Sequence, residues 1–381
     1  MKTFNKFLLV AIFIAAAFHL HAQEAKDYYL LIGTYTSGKS EGIYVYNFNT
    51  KDGSCSLANK AKTSNPSYLA VAPNEKFIYA VNEKADSTRF TTTGSVSAFS
   101  FNKKNGAMQE ISTQSSGGKH PCYVSIDKTG KWLAAANYSD GSFAVLPINA
   151  NGTLDAPSQV IQHTGKGKDE KRQAGPHAHS ASFSPDNKLL FVQDLGIDKV
   201  MFYRFDETTG KLTTPEVPFF EAAPGAGPRH IDLHPTKKIV YLIEELSNTV
   251  TVFKEEDHKA VSIQTISSVP ADYKGPSGAA DIHVSPDGKF LYTSNRGSSN
   301  SIGIFSIDAE TGKLRLVAHQ STMGEVPRNF SLDPTGNFLL VANQVTDNVV
   351  VFKRDIQTGL LSATGYQISV PNPVCLKWVS K

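Results

Sequence analysis

Seven side chains of this sequence have the chemistry to bind an anion and move a proton: His177, His179, Arg229, Glu244, Glu245, Arg296 and Arg328. An imidazole titrates near neutrality and suits general acid/base work. Guanidinium groups grip carboxylates, phosphates or a developing oxyanion. Three arginines drawn to one axis repel each other unless acids or a bound anion offset them. The adjoining carboxylates of Glu244 and Glu245 could do so, and repulsion between them would raise one pKa while nearby arginines pull the other way. Glu83 and Asp194 could serve either in a pocket or in hydrogen bonds between packed sheets. His177 and His179 are two apart on one strand face, a spacing that could hold a metal, but only generic acids offer themselves as a third ligand. No metal is therefore expected, and proton transfer or a hydrogen bond to substrate is the better use of His179.

Several chemistries have no support. There is no Gly-x-Ser-x-Gly elbow and no glycine loop between strand and helix, which disfavours a serine hydrolase and a phosphate-binding loop. The candidates are spread from Glu83 to Arg328, so only the fold can bring them together.

That fold is written as a repeat. Copies open NPSYLAVAP (65–73), HPCYVSIDK (120–128), PHAHSASFSP (176–185), GPRHIDLHP (227–235), GAADIHVSP (278–286) and VPRNFSLDP (326–334). Each runs through a turn into a second apolar stretch, such as KIVYLIE (238–244) or KFLYTSN (289–295), and most add a third. The turn anchors Pro73, Lys128, Pro185, Pro235, Pro286 and Pro334 lie 55, 57, 50, 51 and 48 residues apart. Several short strands at a period near 50, rich in Val, Ile, Tyr and Phe with alternation of two, indicate an all-β propeller and no helices. YYLLIGTYT (28–36) reads as a second strand without a first, and NPVCLKWV (372–379) as a first without a second. Joined, they make a seventh blade and hide two open strand edges.

The first strand of each blade lines the channel. Counting back six residues from each anchor gives Ser67, Cys122, His179, Arg229, Ala280 and Arg328 around one mouth. The second strands end at the same rim with Asn82-Glu83, Asn137-Tyr138, Gln193-Asp194, Glu244-Glu245, Asn295-Arg296 and Asn343-Gln344. Asn82, Asn137, Asn295 and Asn343 are expected to satisfy turns. The loop KGKDEKR (166–172) is by default a solvated one, placed so that it could roof the mouth.

Residues 1–22 read as a secretory signal peptide, with Lys2 and Lys6, an apolar stretch from Phe7 to Phe18 and Leu20-His21-Ala22 before the cut. Residues 23–381 would then form a single exported propeller domain, periplasmic or extracellular. Without Lys2 and Lys6 the 38 basic residues become 36 against 35 acidic ones, so nucleic acid is not an expected partner. No later run is long enough to span a bilayer. Cys55, Cys122 and Cys375 have no metal-type spacing and cannot all pair, so free thiols are expected. A monomer is the expected state.

At these residues the chain resembles the lactonase propellers, the family of the cycloisomerase-type bacterial 6-phosphogluconolactonases, whose fold the fungal muconate cycloisomerases share. The resemblance runs from GTYTS (33–37) to the last strand. Its most specific pieces are His179-Ser180-Ala181 with Ser184-Pro185-Asp186, Gly227-Pro228-Arg229-His230, Glu245-Leu246 and Ser294-Asn295-Arg296-Gly297. It implies an active constellation of His179, Arg229, Glu245 and Arg296; His177, Glu83, Asp194, Glu244 and Arg328 are expected around the substrate from their places on the strands. The implied reaction is hydrolysis of a sugar lactone without a cofactor. Glu245 or His179 would activate the water, and Arg229 and Arg296 would offset the oxyanion and hold a carboxylate or phosphate. Glu244 departs from the family, where Asn is frequent, and Asp281 and His283 stand where Glu and a basic residue are common. Export fits a non-phosphorylated or other anionic lactone better than a phosphorylated intermediate of cytoplasmic metabolism. Two other readings use the same residues differently: a non-catalytic propeller that binds carbohydrate or protein, and a cycloisomerase that clamps an unsaturated diacid with its arginines.

Overall fold

The six repeats fold as six antiparallel sheets and the two termini supply a seventh, in a computed structural model that describes residues 27–83, 92–256 and 259–381. The leader expected at 1–22 lies outside the described residues. We number blades one to six by their inner strands Leu69–Val71, Pro121–Ile126, Ala178–Phe183, Pro228–Leu233, Ala279–Val284 and Pro327–Leu332. In blade seven the inner strand Pro373–Ser380 pairs with Tyr28–Thr34, which pairs with Gly42–Phe48 and then Cys55–Lys62. Neighbouring inner strands touch in order around the ring, and the last of them, Pro373–Ser380, contacts both Pro327–Leu332 and Leu69–Val71. No helix is formed among the described residues.

The second strands are apolar almost without interruption, and burial explains it. Phe290–Asn295 and Phe338–Asn343 are buried at every position, and Phe77–Asn82 and Leu189–Asp194 at all but the first. Each such strand is sandwiched between two neighbouring blades, so both faces must be apolar, as in a sheet covered on both sides. Alternation of two is therefore weaker there than the repeat alone suggests. Each blade also has an outer, fourth strand, such as Ala107–Ser115 or Leu361–Ser369, half-exposed and polar enough to read as loop. In blade three it is split into Leu212–Thr213 and Phe219–Glu221, both paired with Lys199–Phe205.

Polar ties join the blades. Tyr79, Tyr241 and Tyr292, equivalent residues of three second strands, donate to the carbonyls of Gly152, Gly312 and Gly359 in the next blade at 2.8–2.9 Å. Those glycines have φ of 85°, 73° and 75°, the left-handed region that glycine adopts without a Cβ penalty. All three cysteines are free, and the Cys375 thiol accepts the Leu69 N–H across the closure.

Deleting residues 372–381 is expected to abolish the cooperative melt and leave the chain aggregating, as followed by circular dichroism and gel filtration. Burial of Val374, Leu376 and Val379 is worth about 1.5–3 kcal/mol each, a large share of the ~5–15 kcal/mol that holds a domain folded. The deletion would also open two strand edges.

Candidate active site

The mouth is built by two rings of side chains, and strand irregularity produces the first. Four of the inner strands lose register by one residue at their entrance, between Pro121 and Tyr123, Ala178 and Ser180, Pro228 and His230, and Pro327 and Asn329. The unpaired residues are Cys122, His179, Arg229 and Arg328, those picked out by counting back from the turns. A β-bulge re-aims the side chain it carries, and here it turns these four towards the axis.

The second ring comes from the residue just past each second strand. Tyr138, Glu245 and Arg296 extend their hairpins by one hydrogen bond, to the carbonyls of His120, Gly227 and Gly278 at 2.8–3.0 Å. Tyr35 and Glu83 do the same with Asn372 and Asn65 at 3.1 and 3.2 Å. Successive strand residues point to opposite sides, so the preceding residue faces the blade interface instead. There Asn82, Asn137, Asn295 and Asn343 donate to the ends of the outer strands of the blades before them, through the carbonyls of Ser64, Ser116, Ser268 and Thr322. They tie blades together where turn-satisfying roles are expected.

The same parity takes Glu244 and Asp194 out of the mouth. Glu244 accepts from Thr249 and Thr251 of its own blade. Asp194 accepts from His163 at 2.6 Å and from the His177 and Gly196 N–H groups at 2.7 and 2.9 Å. Glu244 is raised to about 7 by burial, reinforced by Asp198 and opposed by the two threonines. Repulsion from Glu245 is not the cause. Its folded pKa lies above the ordinary 4.5, so native stability falls as pH rises from there to about 7 and the penalty persists above it. Glu244→Gln should therefore be more stable than wild type by up to ~3 kcal/mol at pH 8 and nearly equal to it at pH 5, as read by urea denaturation.

The resulting cavity has a volume of about 260 Å³. Tyr35, Glu83, Tyr138, Glu245 and Arg296 line it from the second ring, Cys122, His179 and Arg328 from the bulges, and Arg172 from the loop before blade three. That loop is ordered by its own bonds. Buried Gln173 donates to the Leu195 carbonyl and to Asp198, and Asp169 caps the Lys171 and Arg172 N–H groups. The loop roofs the mouth as its position in the sequence suggests, but the contribution of Arg172 itself is not visible there.

Three guanidinium groups converge on one carboxylate. Glu245 Oε2 is 2.9 Å from Arg229 Nε and 2.8 Å from Arg296 Nη2, and Oε1 is 2.7 Å from Arg172 Nη2. Burial raises the Glu245 carboxyl, but Arg296, Arg229, His179 and Arg172 more than offset it and hold it well below the usual range. It is a locked anion and a poor base. His179 is also pushed well below its ordinary value, first by burial, then by Arg229 and His230. It is neutral at pH 7. Its ring stands edge-on to Tyr138 at 5.5 Å and to His230 at 5.3 Å, with Cys122 Sγ 4.0 Å from Nδ1. His177 stacks on Tyr138 at the rim and bonds its carbonyl at 2.8 Å, outside the cavity lining.

Arg229 does not line the cavity. It lies beneath, almost wholly buried, bonding Glu245, the Ala280 carbonyl and His230 Nε2. Burial and the charges of Arg296 and Arg328 lower it to about 10, still charged at neutrality. Below it, His230 Nδ1 meets Asp281 at 2.7 Å, and Asp281 also receives Asn329 and His283. His283 is raised to about 10, because Asp281 and Asp232 outweigh its burial. Asp281 and His283 thus pair with each other in the channel below the mouth.

Residues 29–378, which carry all of these side chains, match the family described as "Lactonase, 7-bladed beta-propeller". The chain belongs to that family. It is 39% identical over 351 residues to a 6-phosphogluconolactonase of Bacillus subtilis (strain 168), covering 91% of this chain and 97% of that one. A 6-phosphogluconolactonase of Formosa agariphila is 37% identical over 351 residues, covering 90% and 96%. Among solved structures, the periplasmic gluconolactonase of Pseudomonas aeruginosa superposes with a TM-score of 0.87 at 40% identity, covering 93% of this lactonase-family chain and 99% of the other.

Proposed function

We propose that this lactonase-family propeller hydrolyses a sugar lactone outside the cytoplasm. The observation that carries the reading is a neutral, buried imidazole and a charged guanidinium facing one small cavity: His179 and Arg296. Water attacks the lactone carbonyl carbon as its proton passes to His179, and the carbonyl oxygen becomes an oxyanion. Arg296, fixed by Glu245 and by the Gly278 carbonyl at 3.0 Å, offsets that charge without having to reorganise. The intermediate collapses with cleavage of the ring C–O bond. The departing alkoxide recovers the proton from His179, leaving a hydroxy acid. Between Glu245 and His179 as the base, the locked anion is the poorer choice. Arg229 then acts beneath the cavity, holding Glu245 and keeping His179 neutral. A signal peptide at 1–22 and the compartment in the name of the Pseudomonas relative both favour export, and export favours a lactone other than a cytoplasmic phosphorylated intermediate.

The test is a lactone panel against the purified chain lacking residues 1–22, following acid release with a pH indicator against enzyme-free blanks. Turnover of at least one sugar lactone is expected, and none across the panel would remove the assignment. The pH profile sharpens it. A base must be deprotonated, and His179 is lowered, so kcat/KM should stay level down through pH 6. A limb at the ordinary imidazole value would count against His179 as the base.

A further inference from the structure

The reaction uses only half of the mouth. His179, Glu245 and Arg296 come from blades three, four and five, whereas Arg328, Tyr35 and Glu83 come from blades six, seven and one, the facing arc of the ring. Arg172, Arg229 and Arg296 all converge on Glu245. Arg328 does not. Among the described residues its guanidinium has no ion pair and no hydrogen bond, only the face of Tyr35 with its Cζ 5.5 Å from the ring centre. The acid on that arc, Glu83, acts on Arg328 through its charge but is held by the Tyr35 hydroxyl at 2.7 Å and makes no ion pair with it. Tyr35 thus serves twice, as a platform under the cation and as the group that keeps the carboxylate aside. A guanidinium turned into a cavity with its donors uncommitted asks for an acceptor from the ligand. Formal charge agrees, since four arginines in or under the cavity face two glutamates.

We propose that Arg328, set on Tyr35, is a specificity residue that binds an anionic group on the substrate remote from the ester, a carboxylate or a phosphate, so that the preferred substrate is an anionic sugar lactone. This rests on the lactonase reading for its turnover test but not for its binding test. In the productive pose the carbonyl lies against Arg296 and His179 while the anionic end of the sugar chain reaches Arg328 across the mouth.

The experiment compares wild type, Arg328→Gln and Arg328→Lys. Substrates are neutral glucono-1,5-lactone, its 6-phosphate and a glucaric acid lactone, which separate phosphate from carboxylate. Wild type should favour at least one anionic lactone in kcat/KM. Arg328→Gln should reduce that anionic-over-neutral ratio about 10- to 100-fold, the worth of a charge-assisted bonded pair, mainly through KM, and Arg328→Lys should restore part of it. An equal loss on neutral and anionic lactones, or a wild-type preference for the neutral one, would overturn the proposal. Calorimetric titration with 6-phosphogluconate, glucarate and gluconate reads the subsite without turnover. Weaker binding of 6-phosphogluconate or glucarate to Arg328→Gln, with gluconate less affected, supports the subsite even if no lactone is hydrolysed. Hydrolysis with an unchanged ratio and unchanged affinity for 6-phosphogluconate and glucarate keeps the lactonase and sinks the subsite.

Discussion

His179→Ala is expected to slow lactone hydrolysis by about 10²–10⁴-fold, the usual worth of a positioned general base, mostly in kcat. The imidazole is the one group of the cavity lining that combines neutrality at pH 7 with a nitrogen able to take a proton. Burial and Arg229 keep it so. Tyr35 and Cys122 are pushed up by burial and hold their protons, and Glu245 is tied on both oxygens. Among the described residues His179 makes no ion pair, so its loss leaves no buried charge exposed to apolar surroundings. The melting temperature should move far less than the rate. Activity within a few-fold of wild type in a folded His179→Ala variant would move the proton transfer elsewhere.

Glu245→Ala should behave differently, losing stability as well as turnover. Its carboxylate is the common partner of Arg229, Arg296 and Arg172, and Arg229 is almost wholly buried. Breaking a buried pair by removing one member typically costs about 3–5 kcal/mol, because the other charge stays buried. Arg229→Ala is the control. It leaves Glu245 paired with Arg296 and Arg172, so it should cut turnover severely while the chain remains folded. Urea denaturation of the two variants side by side separates the cases. Equal destabilisation would mean that Glu245 is not the hub.

Much of this arrangement is legible in the sequence because the repeat sets a common origin. Counting back from the hairpin turn finds Cys122, His179, Arg229 and Arg328 as one ring, since each of those inner strands carries its bulge at the same place. The terminal closure is legible too, from YYLLIGTYT lacking a first strand and NPVCLKWV lacking a second. Four things are not. Strand parity separates Glu245 from Glu244 by a single residue, and both are acidic, so composition cannot say which one faces the axis. Tyr35 occupies the same rim position as Glu245 and Arg296, but its blade is assembled from both ends of the chain and has no anchor from which to count. Arg172 lies in a charged loop whose only signal of order is Gln173, an uncharged residue buried for its hydrogen bonds. Depth is also silent in sequence, and Arg229 proves to lie beneath the cavity it was expected to line.

The most direct measurement is a crystal structure of the mature chain with gluconolactam, a hydrolysis-resistant lactone analogue, bound. The account predicts the lactam carbonyl oxygen within hydrogen-bond distance of Arg296 and the carbonyl carbon facing His179, in the cavity roofed by Arg172. An analogue seated elsewhere, or in this cavity with its carbonyl turned away from both residues, would contradict it.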